Sequence, residues 1–219
     1  IDGYNHWRDV VKSFGPGRRL GTDLPFDKAG NVPSVEYYDK VFGKNAWRSN
    51  TVVSLGIGQA ELLLVPLQMA NVMAIIANKG YYYIPHCIKG VSIKGQIDPK
   101  YKEKQLVGVQ KEEYYDIVIE GMRRALEPGG TAWRSKIKDI VICGKTGTAQ
   151  NPHGKDHAEF QAFAPMDNPK IAIACIVENA GLGGSYAAPI SSLMIEKYLT
   201  GKITRPELEK TMLSTVITK

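Results

Sequence analysis

Long apolar runs are missing from this sequence. The most hydrophobic region, Leu62 to Ala77, is broken by Pro66, Gln68 and Asn71. No stretch therefore reaches the roughly 20 residues that a membrane-spanning helix needs. No cleavable signal segment is visible either. Cysteine is scarce: Cys87, Cys143 and Cys175 are all there is. Their spacing fits no metal-binding pattern, and an odd number leaves at least one thiol unpaired within the chain. Cys143 and Cys175 lie in apolar runs, which suits buried thiols better than a bridge. Lysine and arginine exceed aspartate and glutamate, 28 against 22. The excess is scattered over Arg18/Arg19, Lys100/Lys102/Lys104 and Arg123/Arg124, with no aromatic residues interleaved in a basic stripe. That excludes a typical nucleic-acid binder. Internal repeats and low-complexity segments are also absent. The first residue is Ile1, not methionine, so the chain is expected to be a fragment or a processed product.

What is present is an ordinary globular composition, 43% apolar and 23% charged over 219 residues, enough for one substantial core. Apolar residues at helical spacing run over 4–14, and Gly15-Pro16-Gly17 stops them. Ser34 reads as the N-cap of a short helix ending near Gly43. The strongest helix is 66–79, with Pro66 in its first turn, Gly80 at its stop and apolar residues nearly all round, as in a buried central helix. Residues 81–84 read as a strand, and 86–110 as a strand or two with a mobile lysine-rich loop. An amphipathic helix over 111–127 should bury Tyr114, Ile117, Val118, Gly121, Met122 and Ala125. Strands are expected at 137–143, 158–164 and 170–177, the last two joined as a hairpin through Pro165 to Pro169. A helix over 187–200 presents Ile190, Leu193, Met194 and Tyr198 on one face, Gly201 ends it, and a short helix starts at Pro206. The pattern predicts an α+β fold, an antiparallel sheet flanked by helices, in a single domain over 1–219 with no linker to divide it.

The segment Cys143-Gly144-Lys145-Thr146-Gly147-Thr148-Ala149 carries the chemistry. An ammonium on a strand edge supplies a positive field, and two hydroxyls can hold a carboxylate. A glycine between them lets another backbone lie flat against the strand. Lys145 and Thr148 are the candidate catalytic residues; Thr146, Gly147 and Thr148 are the candidate substrate-binding residues. Gly144-Lys145-Thr146 also resembles the end of a phosphate-binding loop, but that loop needs a glycine where Asp139 stands and should open a helix. Gly56-Ile57-Gly58 lacks the third glycine of a dinucleotide fingerprint, since Glu61 takes its place. Ser135 and Lys138 have the spacing of a serine nucleophile and its lysine. They lie on the same ribbon as Lys145 rather than across a cleft from it, so the pair is read as a chance match. His153 and His157 lack a third clustered ligand and are read as a polar loop, with no metal. His6 and His86 are read as surface or packing residues. The tyrosines at 81–83 are read as strand packing on both faces, with a platform for sugar stacking as the alternative. Gln59, Glu61 and Gln68 are read as hydrogen-bonding groups that position the start of the buried helix.

Several motifs fall in one order. Gly56-Ile57-Gly58-Gln59 precedes Pro66-Leu67-Gln68-Met69-Ala70 and Ala77-Asn78-Lys79-Gly80. Then come Pro128-Gly129-Gly130-Thr131-Ala132, Gly144-Lys145-Thr146-Gly147-Thr148-Ala149-Gln150 and Phe163-Ala164-Pro165. With these the sequence resembles the C-terminal part of the transpeptidase domain of class B penicillin-binding proteins, in the cell-elongation subfamily, penicillin-binding protein 2, of Bacteroidetes-like type. The Lys-Thr-Gly triplet is one of the signatures of penicillin-recognising serine enzymes. The resemblance implies a peptidoglycan D,D-transpeptidase that uses no cofactor. Its ligands would be a stem peptide ending in D-Ala-D-Ala and β-lactam antibiotics, and its partners elongation-complex membrane proteins including a glycosyltransferase. It implies an inner-membrane anchor and a periplasmic catalytic domain. Lys145 would aid proton transfer, Thr146 and Thr148 would bind the carboxylate, and the Thr148 N–H would supply half of an oxyanion hole. The family's Ser-x-x-Lys and Ser-x-Asn motifs should precede Ile1, so this chain alone is expected to be inactive. A serine β-lactamase, carboxypeptidase or β-lactam sensor of the same fold is an alternative. So is a non-catalytic peptidoglycan-binding or assembly module.

Overall fold

A computed structural model of the chain describes residues 1–91 and 95–217. Part of the lysine-rich loop expected within 86–110 falls on residues 92–94, outside the described residues. The chain folds as two compact units, Ile1–Val72 with Gly80–Gln110, and Met73–Lys79 with Lys111–Lys219.

The first unit holds helices α1 (Asp2–Ser13), α2 (Val35–Phe42) and α3 (Ser49–Val52), and the first turns of α4 (Pro66–Ala77). It also holds the antiparallel pair β1 (Tyr81–Tyr82) and β2 (Gln105–Leu106). Capping follows the local sequence. The Ser34 hydroxyl accepts the Tyr37 N–H, and Gly43 ends α2 at positive φ. The expected strand over 81–84 shortens to two residues because only Gln105 and Leu106 pair with it. Gln68 organises the unit from inside. It is 1% exposed. Its Oε1 accepts the Val65 N–H, and its Nε2 donates to the carbonyls of Gly15, Arg18 and Ala29 at 3.2, 2.9 and 2.8 Å. One side chain thus satisfies backbone groups of three separate loop segments. The Tyr38 ring is fully buried and its hydroxyl donates to Glu61.

The second unit contains the last residues of α4, then α5 (Glu112–Arg124), β3 (Cys143–Ala149), β4 (His157–Ala164), β5 (Ile171–Val177), α6 (Ala187–Thr200) and α7 (Pro206–Ser214). The sheet is antiparallel in the order β3-β4-β5, so β3 and β5 are its edges among the described residues. Register places Ala164 opposite Ile171 and Thr146 opposite Phe160. The helix α6 lies across β4 and β5, and α5 packs against β3.

The structure corrects three expectations within this unit. Residues 137–143 are not a strand. Ile137 pairs with Ile140 across a tight bridge, with Asp139 at φ 62°, and the strand begins only at Cys143. Ile137 and Ile142 are buried all the same, so the apolar run marks core and not strand. On α5 the buried seam is Tyr115, Ile119 and Met122, whereas Tyr114, Ile117 and Val118 face outward, Ile117 being 72% exposed. Both stripes are apolar at helical spacing, and periodicity cannot say which one meets a sheet. On α6 the expected Leu193 is buried, but most of the buried surface is Ala188, Ser191, Ser192 and Ile195, because small side chains let a helix approach a sheet closely. Met194 and Tyr198 instead line a cleft of about 640 Å³ with Met212 and Leu213 of α7.

The joint between α6 and α7 rests on a buried charge. Glu196, 1% exposed, accepts from the Thr204 hydroxyl and N–H and pairs with Arg205 at 3.0 Å. Burial alone would raise its pKa, but the hydrogen bonds from Thr204 and Arg205 outweigh burial and hold it below the ordinary glutamate value.

These buried polar groups make the fold sensitive to single substitutions. Gln68→Leu strands one N–H and three carbonyls and should lower unfolding free energy in urea by about 3 kcal/mol; a loss below about 1 kcal/mol would contradict the hub role. Arg205→Met leaves Glu196 buried and unpaired and should cost about 3 kcal/mol at neutral pH. A depressed carboxylate stabilises the fold above its unfolded pKa, about 4.3, and that contribution fades as pH falls through the lower folded value. The acid side of the stability profile should accordingly flatten in Glu196→Gln, measured by thermal unfolding from pH 7 to 2.5.

Candidate active site

The expected site residues occupy consecutive positions on β3, the edge strand. Backbone direction follows from the hairpin. The Ala164 carbonyl accepts the Lys170 N–H at 2.8 Å, so Ala164 turns its polar groups toward β5. Successive residues of a strand alternate. Phe163, Gln161 and Glu159 therefore turn toward β3 and exchange hydrogen bonds with Cys143, Lys145 and Gly147, their register partners. The residues between them, Thr146 and Thr148, direct their N–H and C=O groups off the free edge. Two further contacts agree. The Thr146 carbonyl accepts Lys145 Nζ at 2.6 Å. A Cβ on Gly183 would strike both the Gly147 and the Glu159 carbonyl oxygens, which requires those two oxygens to lie between the strands.

Side chains alternate as well. Thr146 and Thr148 share the face that carries Phe160 and Ala158, while Lys145 and Gly147 share the face of Gln161 and Glu159. Lys145 is exposed, and residues 146–148 are half-buried. On the threonine face the loop before α6 comes close, since a Cβ on Gly184 would collide with the Thr131 carbonyl and reach the Thr146 methyl. Only glycine fits there.

Two further residues stand beside this strand and were not among the expected site residues. The first is Thr131, whose Oγ1 accepts the Thr146 hydroxyl at 2.9 Å. The turn Pro128-Gly129-Gly130 delivers it. Gly129 takes φ 90°, and the Ala132 N–H returns to the Ala125 carbonyl at the end of α5. Glu127 anchors the turn by pairing with Lys136 at 2.9 Å and Arg123 at 3.1 Å. Hydrogen bonds from Arg123 and Arg124 hold the neighbouring Glu120 down to about 2. The Gly-Gly-Thr turn is visible as sequence, but its proximity to Thr146 is not. The second residue is Glu159. Its carboxylate lies over Gly147, where a Cβ would sit 2.9 Å from Oε2. Burial pushes its pKa up, and His157 opposes that more weakly.

Other candidates fall away from the strand's edge. Ser135 is sealed, 0% exposed, in a tight turn over Trp133–Ser135. Nδ1 of His157 accepts the Asn179 N–H at 3.0 Å, a structural bond that ties β4 to the loop after β5. Cys143 is buried, which pushes its thiol up to about 12, so it is no nucleophile at neutral pH.

An exposed edge with two outward N–H groups, two hydroxyls and an ammonium can take an extended anionic chain and stabilise charge developing on one of its carbonyls. Comparison with known proteins identifies the family. Residues 3–196 match the model of the penicillin binding protein transpeptidase domain. The chain is 32% identical to peptidoglycan D,D-transpeptidase MrdA of Haemophilus influenzae over 96% of its length and 34% of the relative. It is 33% identical to PbpA of Mycobacterium tuberculosis over 67% of its length and 31% of the relative. It thus spans about a third of the length of the curated relatives it matches. Among solved structures, Pseudomonas aeruginosa PBP2 in complex with WCK 5153 superposes with a TM-score of 0.80 at 31% identity, covering 92% of this chain and 44% of that one. The complex of Helicobacter pylori PBP2 with MreC gives 0.73 at 27%, covering 90% and 36%. An imipenem acyl-enzyme of penicillin-binding protein A from M. tuberculosis gives 0.73 at 27%, covering 90% and 42%. With the family model matched over most of its residues and its motif strand at the sheet's edge, the chain belongs to the penicillin-binding protein transpeptidase domain family.

Proposed function

We propose that the protein is a peptidoglycan D,D-transpeptidase of the cell-elongation type, and that residues 1–219 are the C-terminal part of its transpeptidase domain, supplying the strand wall of the cleft. The observation that carries this reading is the direction of the Thr148 N–H, off a free edge that also bears Lys145, Thr146 and Gly147. A stem peptide ending in D-Ala-D-Ala lies along that edge, its terminal carboxylate on the Thr146 and Thr148 hydroxyls in the field of Lys145. A serine oxygen attacks the penultimate carbonyl, and the Thr148 N–H receives the oxyanion as the tetrahedral centre forms. The peptide C–N bond then breaks, and D-alanine leaves with a proton passed through the serine's hydrogen-bonded neighbours, which Lys145 assists. An amine from a neighbouring strand next attacks the acyl ester, a cross-link forms, and the serine recovers its proton. β-Lactams would acylate the same serine; a mycobacterial relative is known as an imipenem acyl-enzyme complex.

The only serine here with a lysine three residues on is Ser135, and it is buried. We therefore assign the reacting serine to sequence outside residues 1–219. The same reading places the protein at the bacterial inner membrane with this part in the periplasm, the anchor also lying outside. Among the described residues no helix is long and apolar enough to cross a membrane. Elongation-complex proteins are its proposed partners, including a glycosyltransferase and a protein of the kind seen bound to the Helicobacter relative.

The test is acylation by a fluorescent penicillin. The full-length protein should form a covalent adduct. Lys145→Ala should slow its formation about a hundredfold or more, and Thr146→Val about tenfold, with thermal midpoints unchanged. An unlabelled wild type, or a Lys145→Ala variant acylated at the normal rate, would sink the reading. Residues 1–219 expressed alone should show no mass increase after incubation with penicillin. An acyl-serine detected on them by intact-mass measurement would overturn the assignment of the nucleophile.

A further inference from the structure

On one face of β4 stand three half-buried polar residues, His157, Glu159 and Gln161. Register sets them opposite Ala149, Gly147 and Lys145. Lys145 and Glu159 thus rise from the same face of the sheet as diagonal neighbours, about 7–8 Å apart at the backbone. Glu159 leans toward the edge strand, its Oε2 and Cβ lying 2.9 and 3.1 Å from where a Gly147 Cβ would be. Among the described residues no donor bonds to this carboxylate and no cation pairs with it. The nearest groups are engaged elsewhere. Lys145 Nζ bonds to the Thr146 carbonyl, and His157 Nδ1 accepts the Asn179 N–H. Gln161 supplies an amide without charge.

A half-buried carboxylate with no hydrogen bond or ion pair is unfavourable in the free protein, and the weak pull of His157 does not offset its burial. Packing does not call for it, because an aliphatic side chain would cover Gly147 equally well. The acid is in place for a group that arrives from outside, and the group it suits is a cation. We propose that Glu159 is a specificity-determining residue that reads an ammonium group on the ligand lying along β3. This inference rests on the transpeptidase reading. It narrows the substrate to D-alanyl peptides that bear a free amine within reach of Glu159.

The experiment uses the full-length protein and two penicillins that differ only in a side-chain ammonium, present in one and acetylated in the other. The readout is the ratio of their second-order acylation rates. Wild type should favour the cationic penicillin. Glu159→Gln, which keeps the shape and removes the charge, should lower the ratio about fivefold and leave the neutral compound unaffected. Glu159→Leu should behave as Glu159→Gln does. An unchanged ratio in Glu159→Gln would overturn the proposal. So would an equal fall for both penicillins, since that would mean Glu159 acts on the strand and not on the ligand. Failure of both compounds to acylate the wild type would instead overturn the transpeptidase reading, and this inference with it.

Discussion

The pairing of β3 with β4 is the constraint on which the site depends. Antiparallel strands commit every second residue of an edge strand inward and leave the others facing out. Because Cys143, Lys145 and Gly147 are committed to β4, Thr146 and Thr148 must face away from it. A slip of one residue would reverse all of this, pointing the polar groups of Lys145 and Gly147 off the free edge and burying the Thr148 N–H in the sheet. The register is held from both sides. Phe160 and Ala162 fill the core face beneath α6, and Phe163 and Cys143 are sealed on the other. Burial at one end of the strand pair thus fixes hydrogen-bond direction at the other.

The same sheet must leave one edge unprotected, and exposed edges invite pairing with other chains. The β3 edge carries a charged lysine, a glycine and two hydroxylated residues, which suit a polar ligand better than an apolar strand. The loop before α6 comes close on its threonine face, and the Thr131 turn reaches Thr146. The opposite edge, β5, is apolar along its length and only half-buried. The two edges of one sheet therefore differ in chemistry as well as position.

Local signals in the sequence are legible wherever the chemistry is local. Ser34, Gly43 and Gly201 mark helix ends because caps depend on a few adjacent residues. Gln68 is legible for the same reason at one of its ends, the Val65 N–H. Its three carbonyl partners, 39 to 53 residues away, are not. Which stripe of α5 is buried escapes a sequence reading because both stripes are apolar, and on α6 because the buried stripe is partly serine; in both cases the choice belongs to the sheet. The run 137–143 looks like a strand because apolar residues do not reveal a turn made by Lys138 and a left-handed Asp139. Lys145 to Thr148 stand out through side-chain type. Thr131 and Glu159 do not, because their importance comes only from register and from a turn that closes 15 residues away.

The hydroxyl pair at the site explains why threonine suits position 146. In the free protein the Thr146 hydroxyl donates to Thr131, so its hydrogen is occupied. A hydroxyl both donates and accepts, and it rotates at little cost. Under the proposed function, an arriving carboxylate takes the Thr146 hydrogen while Thr131 donates to Thr146 in return. The pair stays satisfied in both states, with the dipoles reversed. A lysine or arginine there would be an equally good donor, but it would need a counter-charge whenever the groove is empty. A valine would need none and would bind nothing. On the proposed reading, a reversible hydroxyl chain beside a single fixed cation, Lys145, lets the edge accept an anion without holding a second charge in its absence.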